Sequence, residues 1–195
     1  MKAIKEIIKL AVQLMTAVII VMFLNSYVFA FSGVSGQSMN NTLNHGDFLL
    51  VEKISYYANM PEQGDIVIFL KGETNDTLLD QFSTTLEDYN LKIHGEVREN
   101  RLVKRVIGLP GDIITIVNDQ VYVNGEMTAI ESSVEPTTLR RIAFPLTVPE
   151  DYVFVLGDNR PNSNDSRTFG CVDMKSIEGK VLLRLWPFNN LESFN

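Results

Sequence analysis

Two residues in this chain have the types and settings to cleave a peptide bond together. Ser38 lies in Gly36-Gln37-Ser38-Met39, and Lys104 opens Lys104-Arg105-Val106-Ile107-Gly108-Leu109-Pro110-Gly111-Asp112. A serine hydroxyl is a weak nucleophile until a neighbouring base removes its proton. On a strand, Leu102, Lys104 and Val106 share one face, so the amine stands between two aliphatic side chains. Desolvation there disfavours the ammonium and lowers its pKa, as a base at neutral pH requires. Arg105 cannot replace it, because a guanidinium stays protonated. Taken singly, Ser38 reads as linker and Lys104 as a surface lysine on an edge strand. Taken together, they read as nucleophile and base.

A third segment, Gly157-Asp158-Asn159-Arg160-Pro161-Asn162-Ser163-Asn164-Asp165-Ser166-Arg167, carries more Asp, Asn, Ser and Arg than a turn needs. Asp158, Asn162 and Asp165 are oxygen ligands of a kind calcium uses. Two arginines in the loop and the lack of EF-hand spacing argue against that ion.

These residues must be positioned by something, and the chain begins with an apolar segment. No charged residue occurs between Leu10 and Asn44, and Leu10 to Phe31 is dominated by Leu, Ala, Val, Ile, Met and Phe. A helix over that stretch is about 33 Å long, close to the ~30 Å hydrocarbon core of a bilayer. Lys2, Lys5 and Lys9 precede it, so the positive-inside rule places residues 1–9 in the cytoplasm. Val28-Phe29-Ala30 has the spacing of a signal-peptide cleavage site, but the stretch exceeds a usual h-region, so a retained anchor over 10–31 is expected. Residues 32–195 then form an extracytoplasmic domain. Seven residues separate Phe31 from Ser38, at most about 25 Å of extended chain, which keeps the nucleophile near the outer leaflet.

The 195-residue chain carries a net charge of −7, and its basic N-terminus makes the remaining body more acidic still. Such a body is a poor partner for nucleic acid. Cys171 is the only cysteine, so no internal disulfide forms, and a free buried thiol is expected. His45 and His94 are too few for a usual zinc-hydrolase site.

The body reads as short strands with frequent turns. Asp47–Glu52, Gly64–Leu70, Leu102–Ile107, Asp151–Leu156 and Gly179–Trp186 are strand segments. Tyr56, Tyr57 and Met60 suit a helical turn closed by Pro61. Ile113–Val117 and Gln120–Val123 read as a hairpin, followed by an Asn124-Gly125 turn of type I′, in a smaller β-rich insert around 113–150. Thr128–Thr147 is irregular. Lys71–Asn100 is polar and weakly periodic, with Gly72, Asn75-Asp76 and Asp88 as breakers, and reads as a long loop.

Gly36–Met39 with Thr42-Leu43, Gly64–Phe69, Lys104–Asp112 and Gly157–Gly170 occur in that order behind the apolar segment. In this ordered set the chain resembles bacterial type I signal peptidases of the Ser/Lys kind, and its single anchor and short length look like the Gram-positive members. The resemblance implies a mainly β fold, an antiparallel barrel-like sheet with one N-terminal transmembrane helix. It implies that Ser38 forms an acyl-enzyme at the end of a signal peptide, with Lys104 as base in both half-reactions. Ser163 matches a hydroxyl that orients the lysine amine, Asp165 and Arg167 a supporting ion pair, and Asp158 a partner for Arg105. No cofactor or metal is implied; the expected partners are secreted preproteins and the lipid bilayer.

Two positions depart from some relatives. Gly36 stands where some carry a serine that donates to the oxyanion, leaving backbone N–H groups, Ser38's own first, to do so. Asn41 replaces a proline three residues after the nucleophile, which removes a fixed φ from the turn. A substrate strand beside Ser38 and Lys104 presents alternate side chains to shallow pockets, with Val34, Met39, Leu43 and Val103 as candidate walls admitting small residues. The alternatives are a signal-peptidase-like assembly factor for surface fibres (pili) and a soluble self-cleaving repressor of the related fold. The dyad argues against the first, and the uncharged anchor against the second.

Overall fold

The structure, a computed structural model, describes residues 2–75, 77–128 and 137–194. It opens with α1 (Lys2–Tyr27), whose most apolar window has a mean hydropathy of 2.5 and none of its residues buried. At ~1.5 Å per residue it is about 39 Å long, long and apolar enough to cross a membrane. The helix starts and ends earlier than the 10–31 expected from hydropathy. It stops at Tyr27 because Phe29–Gly33 pairs as strand β1 with β2 (Phe48–Glu52), Phe29 opposite Glu52 and Gly33 opposite Phe48. Hydropathy could not show this boundary, since both helix and strand are apolar.

The strands that follow are β3 (Ile66–Leu70), after the single-turn helix α2 (Ser55–Ala58), then β4 (Arg101–Gly108), β5 (Ile113–Val117), β6 (Gln120–Val123), β7 (Glu126–Met127), β8 (Leu146–Thr147) and β9 (Tyr152–Leu156). After the short helix α4 (Ser166–Phe169) come β10 (Val172–Asp173), β11 (Ile177–Trp186) and β12 (Glu192–Ser193). The main sheet runs β1-β2-β11-β3-β4-β9-β10, with β12 on β11, and every pairing is antiparallel. A four-stranded sheet, β7-β6-β5-β8, occupies the position of the expected insert. Asn124 and Gly125 have φ of 55° and 86°, the two positive values a type I′ turn needs. Residues 129–136 of the stretch read as irregular lie outside the described residues, as does Asp76.

Strand β3 is buried along its whole length because the main sheet is covered on both faces. Ile66 and Ile68 join Val34, Met39, Leu43, Leu49, Val51 and Val181 on one side. Val67 and Phe69 join Val106, Val153 and Val155 on the other. Each such side chain contributes roughly 1.5–3 kcal/mol by leaving water. A third cluster, with Ile107, Ile114 and Phe154, joins the two sheets. Cys171 packs half-buried at its margin rather than fully buried, and desolvation pushes its thiol up to about 11.

Residues 71–100 correct the expectation of a long loop: they contain the sixteen-residue helix α3 (Leu78–Ile93). Thr77 and Asp80 close a capping box at its start, Asp80 N–H to Thr77 Oγ1 at 3.1 Å and Thr77 N–H to Asp80 Oδ2 at 3.2 Å. The pattern was hard to see because Thr85, not an aliphatic residue, is what the helix buries. Asp88 on this helix pairs with Arg98 at 3.1 Å and with Arg101 at 2.7 Å, which ties α3 to β4.

Candidate active site

Ser38 sits on a turn between β1 and β2, and Lys104 in the middle of β4, opposite Val67 of β3. The Lys104 Nζ lies 2.7 Å from Ser38 Oγ and donates to the Val103 carbonyl at 2.8 Å. The lysine is 1% exposed. Burial lowers its pKa from the ordinary 10.5 to about 8, against the opposing pull of the Asp165 and Asp158 carboxylates. Its face neighbours Leu102 and Val106 both pack in the Val67–Phe69 cluster, as strand alternation predicts.

The turn bearing Ser38 is held from two sides. Thr42 and Leu43 N–H groups both donate to the Met39 carbonyl, at 3.0 and 2.7 Å. Thr42 Oγ1 donates to Asp158 Oδ2 at 2.6 Å, and Arg184 Nη1 donates to the Thr42 carbonyl at 2.7 Å. Asn41 has φ of +81°, a value that proline cannot adopt and that asparagine tolerates better than most residues. The turn here has a backbone at Asn41 that a proline would not fit. Gly36 also has positive φ, +93°, and its N–H donates to His45 Nδ1 at 3.3 Å.

The Gly157–Arg167 loop forms the other wall of this support. Asp158 is fully buried and accepts from Arg105 Nη2 at 2.7 Å and Nε at 3.0 Å, while Arg105 Nη1 reaches the Gly64 carbonyl. Asp165 and Arg167 are both fully buried and pair at 2.8 Å; Asp165 also accepts from the Gly157 N–H at 3.2 Å. Both ion pairs expected from the sequence are present. Ser163 differs from expectation. Its Oγ is buried without a hydrogen-bond partner among the described residues, rather than bonded to Lys104. It crowds Gly157, where an added β-carbon would lie 2.2 Å from Ser163 Oγ and 2.4 Å from the Ser38 carbonyl oxygen.

Two positioning residues were not assigned roles from the sequence. The Asn159 N–H donates to the Ser38 carbonyl at 3.1 Å, and its Nδ2 donates to the Gln37 carbonyl at 2.9 Å. Gly157 permits the close approach of that same carbonyl. Both lie in the polar loop, whose composition was the one available signal.

A cavity of about 540 Å³ opens beside the pair, lined by Ser38, Lys104, Val34, Val103, Ile68 and Leu102 among others. Val34 and Val103 thus face it as expected. Met39 and Leu43 do not: they are 1% and 0% exposed and belong to the core cluster behind the groove. Both follow Ser38 into the turn that folds under the sheet, so their apolar character serves packing.

A serine hydroxyl against a desolvated lysine amine, at the wall of an open groove on an antiparallel sheet, has the geometry of a Ser/Lys hydrolase. Residues 7–186 match the family described as signal peptidase, peptidase S26, and the chain belongs to that family. It is similar to the signal peptidase I of Bacillus caldolyticus, at 37% identity over 185 residues, 88% of this chain and 87% of that one. It is 34% identical to the signal peptidase I of Leptolyngbya laminosa over 90% of this chain and 77% of that one. Signal peptidase IB of Staphylococcus aureus (strain COL) is 29% identical over 98% and 96%. A crystal structure of a signal peptidase I from Enterococcus faecalis V583 aligns with 63% of this chain and 97% of that one, at 30% identity and a TM-score of 0.42.

Proposed function

We propose that this chain is a membrane-anchored serine endopeptidase that removes signal peptides from secreted preproteins, with Ser38 as nucleophile and Lys104 as general base. The observation that carries the reading is the 2.7 Å approach of Lys104 Nζ to Ser38 Oγ, with the amine desolvated toward neutrality. The neutral amine accepts the Ser38 proton as Oγ attacks the scissile carbonyl, and returns it to the leaving amine. It then deprotonates the water that hydrolyses the acyl-enzyme. A neutral lysine has two N–H donors; the Val103 carbonyl takes one. Ser163 Oγ, buried and not bonded to Lys104 in the structure, is the acceptor we propose for the other once its side chain turns to the amine. The Asp158–Arg105 and Asp165–Arg167 pairs hold the loop that supports Ser38. The Ser38 N–H is the first donor to the oxyanion, in a turn whose Gly36 brings no side chain.

The extended preprotein lies in the groove with small side chains against Val34 and Val103. Lys2, Lys5 and Lys9 support an orientation with the N-terminus of α1 in the cytoplasm and the catalytic domain on the far side of the membrane. Nothing in the relatives favours a fibre-assembly role. The test is processing of a preprotein by the membrane-reconstituted chain: Ser38→Ala and Lys104→Ala each abolish release of the mature protein and leave insertion intact. Processing that survived either change would remove the dyad.

A further inference from the structure

Helix α3 is amphipathic in an unexpected direction. Gln81, Thr85, Asp88 and Lys92 lie on the side turned to the protein, Thr85 being 5% exposed. Leu79, Leu86 and Ile93 are 79%, 43% and 81% exposed, with Phe82 half-buried beside them. At 3.6 residues per turn these four fall within a sector of about 60°, a continuous apolar stripe. The stripe is bordered on one side by the polar run of Asp80, Ser83, Glu87 and Asn90. On the other it is bordered by Tyr89.

Tyr89 is where α3 meets the membrane anchor. Asn25 Nδ2 of α1 donates to Tyr89 Oη at 3.2 Å, and Tyr27 Oη donates to the Leu78 carbonyl at 2.9 Å. These two contacts are about 16 Å apart along α3 but only about 3 Å apart along α1, at ~1.5 Å per residue. The short helix therefore crosses the end of the long one rather than running beside it. A helix lying across the end of a membrane-spanning helix lies in the plane of the bilayer surface. Its apolar stripe adjoins the side on which α1 runs.

We propose that α3 is an interfacial helix, with Leu79, Phe82, Leu86 and Ile93 seated in the headgroup–acyl boundary of the bilayer that α1 spans. The proposal rests on reading α1 as a membrane anchor. The occupant is a lipid surface because α3 is joined at Tyr89 and Leu78 to the end of α1, where Phe23 and Leu24 are also exposed, so the stripe sits at the level where α1 leaves the bilayer. The charges that border the stripe, Asp80 and Glu87, are acidic, so attachment is apolar and does not need anionic lipid. The opposite side of α3 gives the contact a purpose. Asp88 and Leu91 line the same cavity as Ser38 and Lys104, so seating the stripe in lipid sets the height of the groove above the membrane.

The full chain, in phosphatidylcholine vesicles and a Cys171→Ala background that retains cleavage, carries nitroxide labels at Leu86→Cys, Ile93→Cys, Asn90→Cys or Val18→Cys. Collision with oxygen and with a water-soluble nickel chelate reports depth. Labels at 86 and 93 are expected about 5–10 Å below the headgroup level, favouring oxygen, while the label at 90 favours nickel. Labels at 86 and 93 as open to nickel as that at 90 would overturn the proposal. So would shielding of both from either reagent, the mark of a protein partner such as a second copy. The Val18 label separates the two readings: deep with α3 exposed to water, it leaves the anchor standing and removes the interfacial helix.

Discussion

Asn159 grips the chain on both sides of the nucleophile's peptide bond, its backbone N–H on the Ser38 carbonyl and its side-chain amide on the Gln37 carbonyl. The loop held by the two buried ion pairs is thereby fastened directly to the turn that aims Ser38 Oγ at Lys104. Reactive groups must be held close to their productive geometry, and small misplacements are costly in rate.

Asn159→Ala keeps the backbone bond and loses the bond to Gln37. A net hydrogen bond of about 1 kcal/mol corresponds to a several-fold fall in kcat, with KM little changed. Equal loss in KM alone would place Asn159 in substrate binding instead.

The rate of acylation should follow the neutral fraction of Lys104. With its pKa near 8, the rate rises about tenfold per pH unit below that value and levels above it. Single-turnover cleavage across pH 6–10 measures this. A flat profile with chemistry limiting would contradict a lysine base.

The same shift makes a stability prediction. The folded pKa of about 8 lies below the ordinary 10.5, so the unfolded chain binds the extra proton between those values and stability rises with pH across that window. Below it, the buried ammonium costs on the order of 3 kcal/mol. Lys104→Met should therefore raise the thermal midpoint at pH 7 while abolishing activity, and the gain should shrink towards pH 10. Calorimetry in detergent decides it; a lowered midpoint would mean the amine stabilises the fold.

Asn41→Gly should leave cleavage close to unchanged, because glycine accepts the +81° backbone. Asn41→Pro should reduce it sharply, since proline fixes φ near −65° and the Met39–Leu43 turn must rebuild. Full activity of the proline variant would show that the turn is indifferent to this residue.

Gly157→Ala places a β-carbon against the Ser38 carbonyl, which is backbone and cannot swing aside. Overpacking of this kind costs roughly 1–3 kcal/mol and shifts the nucleophile, so activity falls more than stability does. Paired activity and unfolding measurements separate the two effects; equal losses would leave Gly157 a packing residue only.

The sequence alone determined the parts of this protein that local chemistry writes into residue order. These were the apolar helix, the alternating strands, the Asn124-Gly125 turn, and a serine, a lysine and a polar loop in a recognisable order. The pairing of Asp158 with Arg105 and of Asp165 with Arg167 came only from the family resemblance of the segments that carry them. Only the tertiary structure decided what depends on long-range packing. Both Met39 and Val34 are apolar, yet Met39 turns into the core and Val34 lines the groove, because the turn direction after Ser38 separates them. Helix α3 was hidden because its protein-facing side is polar and its apolar stripe faces out, the reverse of the pattern that marks a core helix. The end of α1 was hidden because helix and strand share apolar residues there, and only pairing with β2 distinguishes them. The approach of Lys104 to Ser38, 66 residues apart, exists only once β4 and the Ser38 turn are packed together.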